Sequence, residues 1–573
     1  MIALHEFDYI FAIGMIFAFL DAWNIGANDV ANSFATSVSS RSLTYPQAMV
    51  IGACCEFLGA VLLGNRVSDT IRNKIIDVSK FEDMPATLML GMVCAVVGSS
   101  VWLTIATRIG APVSTTHSIV GAIIGVGIAA IGADNVHWGW SGFSQIVASW
   151  FIAPAVAGCF AAILFLITKF LVLDRGDKAL RNAFYVIPLY FCFTTAILSL
   201  VIVWKGAPAL NLSNKSPATI AAIVMTVVAI TLVFYLIFFL PYVRRRLIKE
   251  DWTLKYYHIL IGPSLWFRGP VPPAPAGVVS PVMDYYAGHG APVQAIVAFS
   301  PMNQTDNDNE KDPDLKDVEV GDSGASNEQV QSRLAEVEKK EYRKWYTPLG
   351  FVQVLWRGIT HGVNQDVISY QNGANGGFLA GDVSRRNANA PHYDNKVEHL
   401  YSFLQAVTAG TASFAHGSND VANAIGPLST IWLVYTTNNV SSKANVPVWI
   451  LAYGGAAIAI GLWTYGYNLM RNLGNRLTLH SPSRGFSMEL GAAITVVFAT
   501  KLGLPISTTQ CIIGATIFVG LCNRDLHAIN YRMVAWCYLG WLLTVPCAGL
   551  IAGLLMAIII NAPVLGQTYS LQP

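Results

Sequence analysis

The sequence predicts an all-α polytopic membrane protein of about twelve helices, built as an inverted repeat and including two re-entrant hairpins. Three observations carry that expectation. Of 573 residues, 54% are hydrophobic and only 12% charged, more apolar surface than one soluble core can hide. The apolar residues gather into runs of the roughly 17 to 25 residues that a bilayer-spanning helix needs. Two motifs also recur in the same order: "IGANDVANSF" (Ile25 to Phe34) returns as "HGSNDVANAI" (His416 to Ile425), and "APVSTTHSIVGA" (Ala111 to Ala122) as "LPISTTQCIIGA" (Leu504 to Ala515), at offsets of 391 and 393 residues.

In chain order the apolar runs are 9–25, 47–64, 86–106, 117–133, 143–168, 183–204 and 218–243, then 398–415, 447–468, 487–503, 507–522 and 532–560. The first follows an acidic lead-in (Glu6, Asp8) and lacks a cleavage site, so it is expected to stay in the mature chain. Seven crossings separate it from its copy, and an odd number sets the copies in opposite orientation. If each Pro-x-Ser-Thr-Thr turns a hairpin, two crossings vanish and the parity is unchanged. The expected domains are a membrane half at 1–243, a large loop at 244–397 and a second half at 398–573.

The loop opens with three arginines (Arg244 to Arg246), and its run "NQTDNDNEKDPDLKDVEVGDSGASNEQ" is polar enough to be disordered. The stretch 345–370 is more apolar and is expected on the membrane surface or beneath the bundle. Fifteen Lys and Arg against eight in the short flanks place both termini outside and the loop in the cytoplasm. The sequons at Asn211 and Asn439 then fall outside.

Other classes are disfavoured. A net charge of +2 argues for neither nucleic acid nor an acidic partner. The nine cysteines lie in or beside apolar runs without metal spacing, as small core residues would. No H-E-x-x-H, nucleophile elbow or P-loop lysine is present, so the chain is not expected to be an enzyme or to hold a cofactor.

The repeated motifs carry the chemistry. Pro112 and Pro505 disfavour helix at the preceding residue, and the Ser-Thr-Thr that follows suits a helix N-terminus. There, unpaired backbone N–H groups, the positive dipole end and hydroxyl donors suit a tetrahedral oxyanion. Ser114, Thr115 and Thr116 supply one such terminus, and Ser507, Thr508 and Thr509 the other. Gly26 is expected to permit an irregular backbone at the end of the first span. Asn28, Asp29 and Asn32, with Asn419, Asp420 and Asn423 in the copy, place hard oxygens together, as hard cations prefer. A carboxylate near mid-bilayer costs about 2.5 to 3.5 kcal/mol, which a coupling cation offsets.

Glu56 lies inside the second span and Glu489 opens the tenth, and they are not repeat-equivalent. They are read as cation ligands, proton carriers or members of a buried pair. His117 and His416 lack a histidine at the mirror position (Gln510, Ile25), which argues against a shared metal role and leaves structural placement, with tuning of pH dependence as the alternative. Inverted repeats with broken helices meeting near the midplane are a recurring build of secondary transporters.

The two G-x-N-D-V-A-N elements, both P-x-S-T-T elements, "HSPSRGFSMEL" and "YRMVAWCYLGW" resemble the inorganic phosphate transporter (PiT) family, most of all its fungal high-affinity sodium/phosphate symporters. The resemblance covers about 1–245 and 395–560. It implies cation-coupled import of phosphate across the plasma membrane by alternating access. Phosphate would contact Asn28, Ser114, Thr115, Thr116, Ser507, Thr508 and Thr509. Sodium would sit on Asp29, Asn32, Asp420 and Asn423, with Asn419 shared, and Glu56 and Glu489 correspond to functional glutamates. Phosphate, Na+ or H+, the lipid bilayer and a second copy of the chain are the candidate partners, and nucleic acid is not. A sulfate or other oxyanion carrier on the same scaffold, or a phosphate transporter-receptor signalling through its loop, stay open as alternatives.

Overall fold

The structure, a computed structural model, describes residues 4–65, 75–140, 142–205, 216–275, 282–287, 383–441, 446–501, 504, 506–523 and 526–562, with scattered positions between 347 and 381. Twelve helical rods account for the membrane part among these residues. The first is α1 (Asp8–Asn24), a π-helical turn (Ile25–Val30) and α2 (Ala31–Ser39) in one line. Then come α3 (Tyr45–Leu63), α4 (Pro85–Ile109), α5 (Thr115–Ile131), α6 (Phe143–Leu171) and α7 (Ala179–Lys205). The seventh rod is α8 (Pro217–Phe234), a second π turn and α9 (Leu240–Ile248). After the large loop, whose described part includes α10 (Val367–Asn372) and α11 (Val383–Ala388), come α12 (Asn395–Thr437), α13 (Val448–Met470), α14 (Pro482–Lys501), α15 (Thr508–Leu521) and α16 (Tyr531–Asn561). Among the described residues eight helices are long and apolar enough to cross a membrane, while α5 and α15 are shorter apolar helices.

The two halves run antiparallel. The start of α1 meets the end of α12: Leu4 N–H donates to the Tyr435 carbonyl at 3.1 Å, the Tyr435 hydroxyl to Asp8 at 2.6 Å, and Phe11 stacks on Tyr435. Packing then exchanges between the halves. Hairpin α4–α5 lies against α16, the helix that follows the second hairpin, whereas hairpin α14–α15 lies against α6, which follows the first. Likewise α12 packs on α3, and α1 with its π turn packs on α13. No half could bury its own apolar faces alone.

Four glycines make that exchange tight. A Cβ on Gly26 would stand 1.9 Å from the Ile458 carbonyl oxygen, and one on Gly461 1.9 Å from that of Trp23. At the mirror crossing, Gly417 would meet the Glu56 carbonyl at 2.4 Å and Gly59 that of Phe414 at 2.2 Å. Small residues let membrane helices approach backbone to backbone. Gly26 therefore serves close approach, and the expectation that the first span ends in irregular backbone there is corrected. The helix widens by a π turn and continues to Ser39. The second copy lies inside the uninterrupted 43-residue α12. The polar motif does not end either helix because protein buries it.

The cysteine expectation holds only in part. Cys94, Cys511 and Cys537 are buried, but Cys54 and Cys159 are exposed. Most of the loop expected to be disordered, 288–346, lies outside the described residues. Its described pieces dock under the bundle. Tyr285 reaches His399 at 2.8 Å and Tyr286 donates to Glu398 at 2.8 Å, both on α12. Gln371 of α10 accepts from Ser39 at 3.0 Å and donates to the Met470 carbonyl at 2.7 Å. Tyr370 lies between the guanidinium groups of Arg471 and Arg476.

The glycine crossings make a direct test. Gly461→Ala forces backbone against backbone and should abolish a monodisperse peak in fluorescence-detected size exclusion, while Gly269→Ala, with open space around it, should leave the profile unchanged.

Candidate functional site

The hairpin tips are built as the motif chemistry anticipates. Helix α4 ends at Gly110, whose φ of +72° turns the chain back, the left-handed region glycine tolerates best. Residues 111–114 run without helix, and Ser114 caps α5 by accepting from the His117 N–H at 3.3 Å. Ser507 caps α15 in the same way, accepting from Gln510 N–H at 3.2 Å. Pro505 lies outside the described residues. The two serine hydroxyls are thus engaged in capping, and the threonines behind them face the centre.

Both tips converge on the two aspartates. Thr115 donates from Oγ1 to Asp29 Oδ2 at 2.6 Å, and Thr509, from the other half, to Asp29 Oδ1 at 2.8 Å. Thr508 donates to Asp420 Oδ2 at 2.8 Å. Asn423 donates to the hydroxyls of Thr115 and Thr116, both at 3.1 Å. The side chain of its repeat partner Asn32 lies outside the described set. The cluster is sealed from solvent, with Asp29 at 2% and Asp420 at 1% exposure.

The paired asparagines do not behave alike. Asn28 ties the first tip down: its amide donates to Thr107 and to the Ala111 carbonyl, and its oxygen accepts from Val113 N–H at 3.2 Å. Asn419 donates to Asp420 at 2.7 Å and to the Ile506 carbonyl at 3.4 Å, but its buried Oδ1 has no hydrogen-bond partner among the described residues. That oxygen is available to a cation.

Asp29, His416 and Asp420 each bring one ligand atom within 4.8 Å of the others. Two carboxylates at that separation repel by about 3 to 4 kcal/mol at an effective dielectric near 20, so a positive charge between them is favoured. His416 lies against one of them. Its Nε2 lies 3.1 Å from Asp420 Oδ2 and its Nδ1 2.8 Å from Glu56 Oε2, while Ser413 donates to Glu56 Oε1 at 2.7 Å. Sequence reasoning gave His416 a structural place and missed that it joins Glu56 to the motif aspartate. The glycine crossings show why. They pair Gly417 with Glu56 and Gly26 with Ile458, so the mirror of the Glu56–His416 pair is Ile458–Ile25. One half holds a buried glutamate–histidine hydrogen bond where the other holds two isoleucines. The only available signal was a glutamate alone in an apolar run and a histidine at the head of the second motif.

Glu489 occupies a different place. Its Oε1 accepts from Thr36 at 2.6 Å, Ser37 at 2.5 Å and Gln405 at 2.9 Å, and its Oε2 from Thr408 at 2.7 Å. It bonds helix α14 to α2 and α12, roughly two turns from Asp29 along the first rod and roughly three to four from Asp420 along α12. Neutral donors alone hold this carboxylate, which makes it a joint between the second hairpin and the first rod.

Antiparallel repeats whose hairpin tips and buried carboxylates meet at the centre of a polytopic helical bundle define a secondary transporter. The profile of the phosphate transporter family, PHO4, matches residues 25–552, and the chain belongs to that family. It is 49% identical to the phosphate-repressible phosphate permease pho-4 of Neurospora crassa, over 98% of this chain and 99% of the relative. It is 32% identical to sodium-dependent phosphate transporter 2 of Cricetulus griseus, over 97% and 99%. A solved structure described as the sodium-dependent phosphate transporter superposes with a TM-score of 0.64 at 25% identity, covering 97% of this chain and all of that one.

The half-to-half difference generates a stability prediction. Glu56→Ile or His416→Ile alone strands a buried charge, which typically costs 3 to 5 kcal/mol, and should lower the thermal unfolding midpoint of the detergent-purified protein. The double variant, which copies the other half, should recover most of that loss. A double variant no more stable than either single would contradict the mirror assignment.

Proposed function

We propose that the chain imports inorganic phosphate in symport with Na+ by alternating access, with Asp29 and Asp420 as the centre of cation binding and the two Thr-Thr tips as the phosphate cradle. The observation that carries this reading is the use of the threonine hydroxyls. Thr115, Thr508 and Thr509 all donate to carboxylates in the sealed conformation, and these are the protons an oxyanion would accept. A cation entering between the aspartates takes over their charge, aided by amide oxygens of Asn419, Asn423 and Asn32. The hydroxyls are then free to turn toward phosphate, together with the N–H groups at the starts of α5 and α15. Cation first and anion second follows from the geometry: without the cation, phosphate meets two carboxylates and finds its donors occupied.

Coupling therefore needs no lysine or arginine, and release needs no strong ion pair to break. Glu56 and His416 adjust the charge at Asp420, and Glu489 joins the second hairpin to α2 so that this hairpin and the first rod move together. The substrate crosses chemically unchanged. The protein acts in the plasma membrane, with halves 1–243 and 398–573 around the site, both termini outside and the loop 244–397 in the cytoplasm. A second copy of the chain is the remaining candidate partner, to be decided by the mass of the purified particle.

Uptake of [32P]phosphate into proteoliposomes tests the assignment. Asp29→Asn should reduce sodium-driven uptake at least tenfold, and unlabelled arsenate should compete where sulfate does not. Undiminished uptake by that variant removes Asp29 from the mechanism. A second series varies Na+ and pH independently. Wild type should follow the Na+ gradient, and His416→Ala should change the pH profile more than the apparent affinity for phosphate.

A further inference from the structure

Asp21 stands roughly two turns before Asp29 on the first rod. It is 0% exposed, and neither of its carboxylate oxygens has a hydrogen-bond partner among the described residues. The carboxylates nearer the centre are served differently: Asp29, Asp420, Glu56 and Glu489 are each bonded by at least two side chains. Ser99 of α4 stands beside Asp21, but its hydroxyl donates to Ser118 Oγ at 3.0 Å, and that of Ser118 to the Ser99 carbonyl at 3.4 Å. One turn on, the Asn24 amide nitrogen donates to Leu20, Ser100 and Thr104, while its buried oxygen has no partner among the described residues. The contact of α1 with α4 is rich in acceptors and short of donors.

Packing does not require an acid there. Carried back along their helices, the motif offsets of 391 and 393 residues set Asp21 and Asn24 opposite Ala412 and Ala415, and Ser99 and Ser100 opposite Ala492 and Ala493. The α12–α14 pair, which mirrors α1–α4, therefore carries alanine at all four positions. The helices around Asp21 bear other ionisable groups, Cys94 and Arg108 on α4, His117 on α5, His416 and Asp420 on α12 and Tyr453 on α13, and none bonds to it. The charge that acts on it is that of Asp29, about 12 Å along the rod. An ionised carboxylate sealed from water with neither donor nor cation is strongly disfavoured. A proton asks for one acceptor, which the Ser99 oxygen supplies, where a metal ion asks for several at once.

We propose that Asp21 is a proton-binding site linked by charge to the cation site at Asp29: it holds a proton in the sealed, cation-free state and releases it to water as Na+ enters. The proposal rests on the assignment of Asp29 to cation binding and adds a pH dependence to it. Release takes place in the open conformations that admit Na+, and the proton returns when Na+ leaves. At an effective dielectric near 20 and the separation given, ionised Asp21 tightens Na+ binding on the order of tenfold. Sodium affinity therefore rises with pH, and by reciprocity Na+ drives the proton off.

The test uses the full-length protein purified in detergent, without phosphate, and measures equilibrium binding of 22Na+ from acidic to mildly alkaline pH. Wild type should bind Na+ on the order of tenfold more tightly at the alkaline end. Asp21→Asn, which keeps the shape and fixes the charge of the protonated form, should lose most of that gain, what is left belonging to His416. Infrared difference spectra on adding Na+ should show wild type losing the carbonyl band of a protonated carboxyl, a loss absent from the variant. Asp21→Ala, which copies the mirror residue, should behave like Asp21→Asn and serves if size exclusion shows the asparagine variant misfolded. A wild-type pH dependence in the Asp21 variants would overturn the proposal, as would an unchanged loss of the carboxyl band. Failure of Asp21→Asn to bind Na+ at any pH would also overturn it and make Asp21 a sodium ligand. Wild-type Na+ binding by Asp29→Asn would instead place the fault in the assignment of Asp29 and take the proposal with it.

Discussion

A carboxylate buried near the middle of a membrane bundle must be given donors or a cation, and the arrangement of this molecule follows from that requirement at Asp29. Its two oxygens take one threonine hydroxyl from each half, Thr115 and Thr509. The helix bearing it need not break, because the groups it would have lost to lipid are satisfied by the tips of both hairpins. The same bonds hold those tips together, so both tips and the aspartates form a single polar cluster.

Bringing tips from opposite halves onto one residue constrains everything around them. The helices that support each hairpin belong to the other repeat, α16 under α4–α5 and α6 under α14–α15, and the rods cross where only glycine fits. Backbone contact at Gly26, Gly59, Gly417 and Gly461 sets the separation of the central helices. It sets with it whether Asp29 and Asp420 share one ion or stand apart. A two-fold exchange of this kind also supplies two related packings of the same parts, which alternating access requires.

Symmetry is broken where charge matters most. The crossing that contains Glu56 and His416 in one half contains Ile458 and Ile25 in the other, and Asn28 has all its bonds filled by the first tip while Asn419 keeps an oxygen free. Asp29 sits in a hydroxyl cradle, whereas Asp420 answers to a histidine and a second carboxylate. The two aspartates, identical by repeat, therefore present different electrostatics to the same cargo.

By itself the sequence determined the class, the twelve rods, the inversion and the central residues, because hydropathy, crossing parity and a duplicated motif are one-dimensional quantities. Residues next to each other in a motif, such as Asn419 and Asp420, are together in the site by covalent connection alone. Only the tertiary structure decided what depends on contact between distant segments. It supplied Glu56 with His416 across 360 residues, Glu489 with Thr36 and Ser37 across more than 450, and a role for Gly26 in close packing in place of a chain break. The mirror pairs Glu56–His416 and Ile458–Ile25 could not be aligned from sequence, since helices α3 and α13 share a position in the fold but no recognisable motif. What they share is a backbone crossing, and a crossing is visible only once the helices are in place.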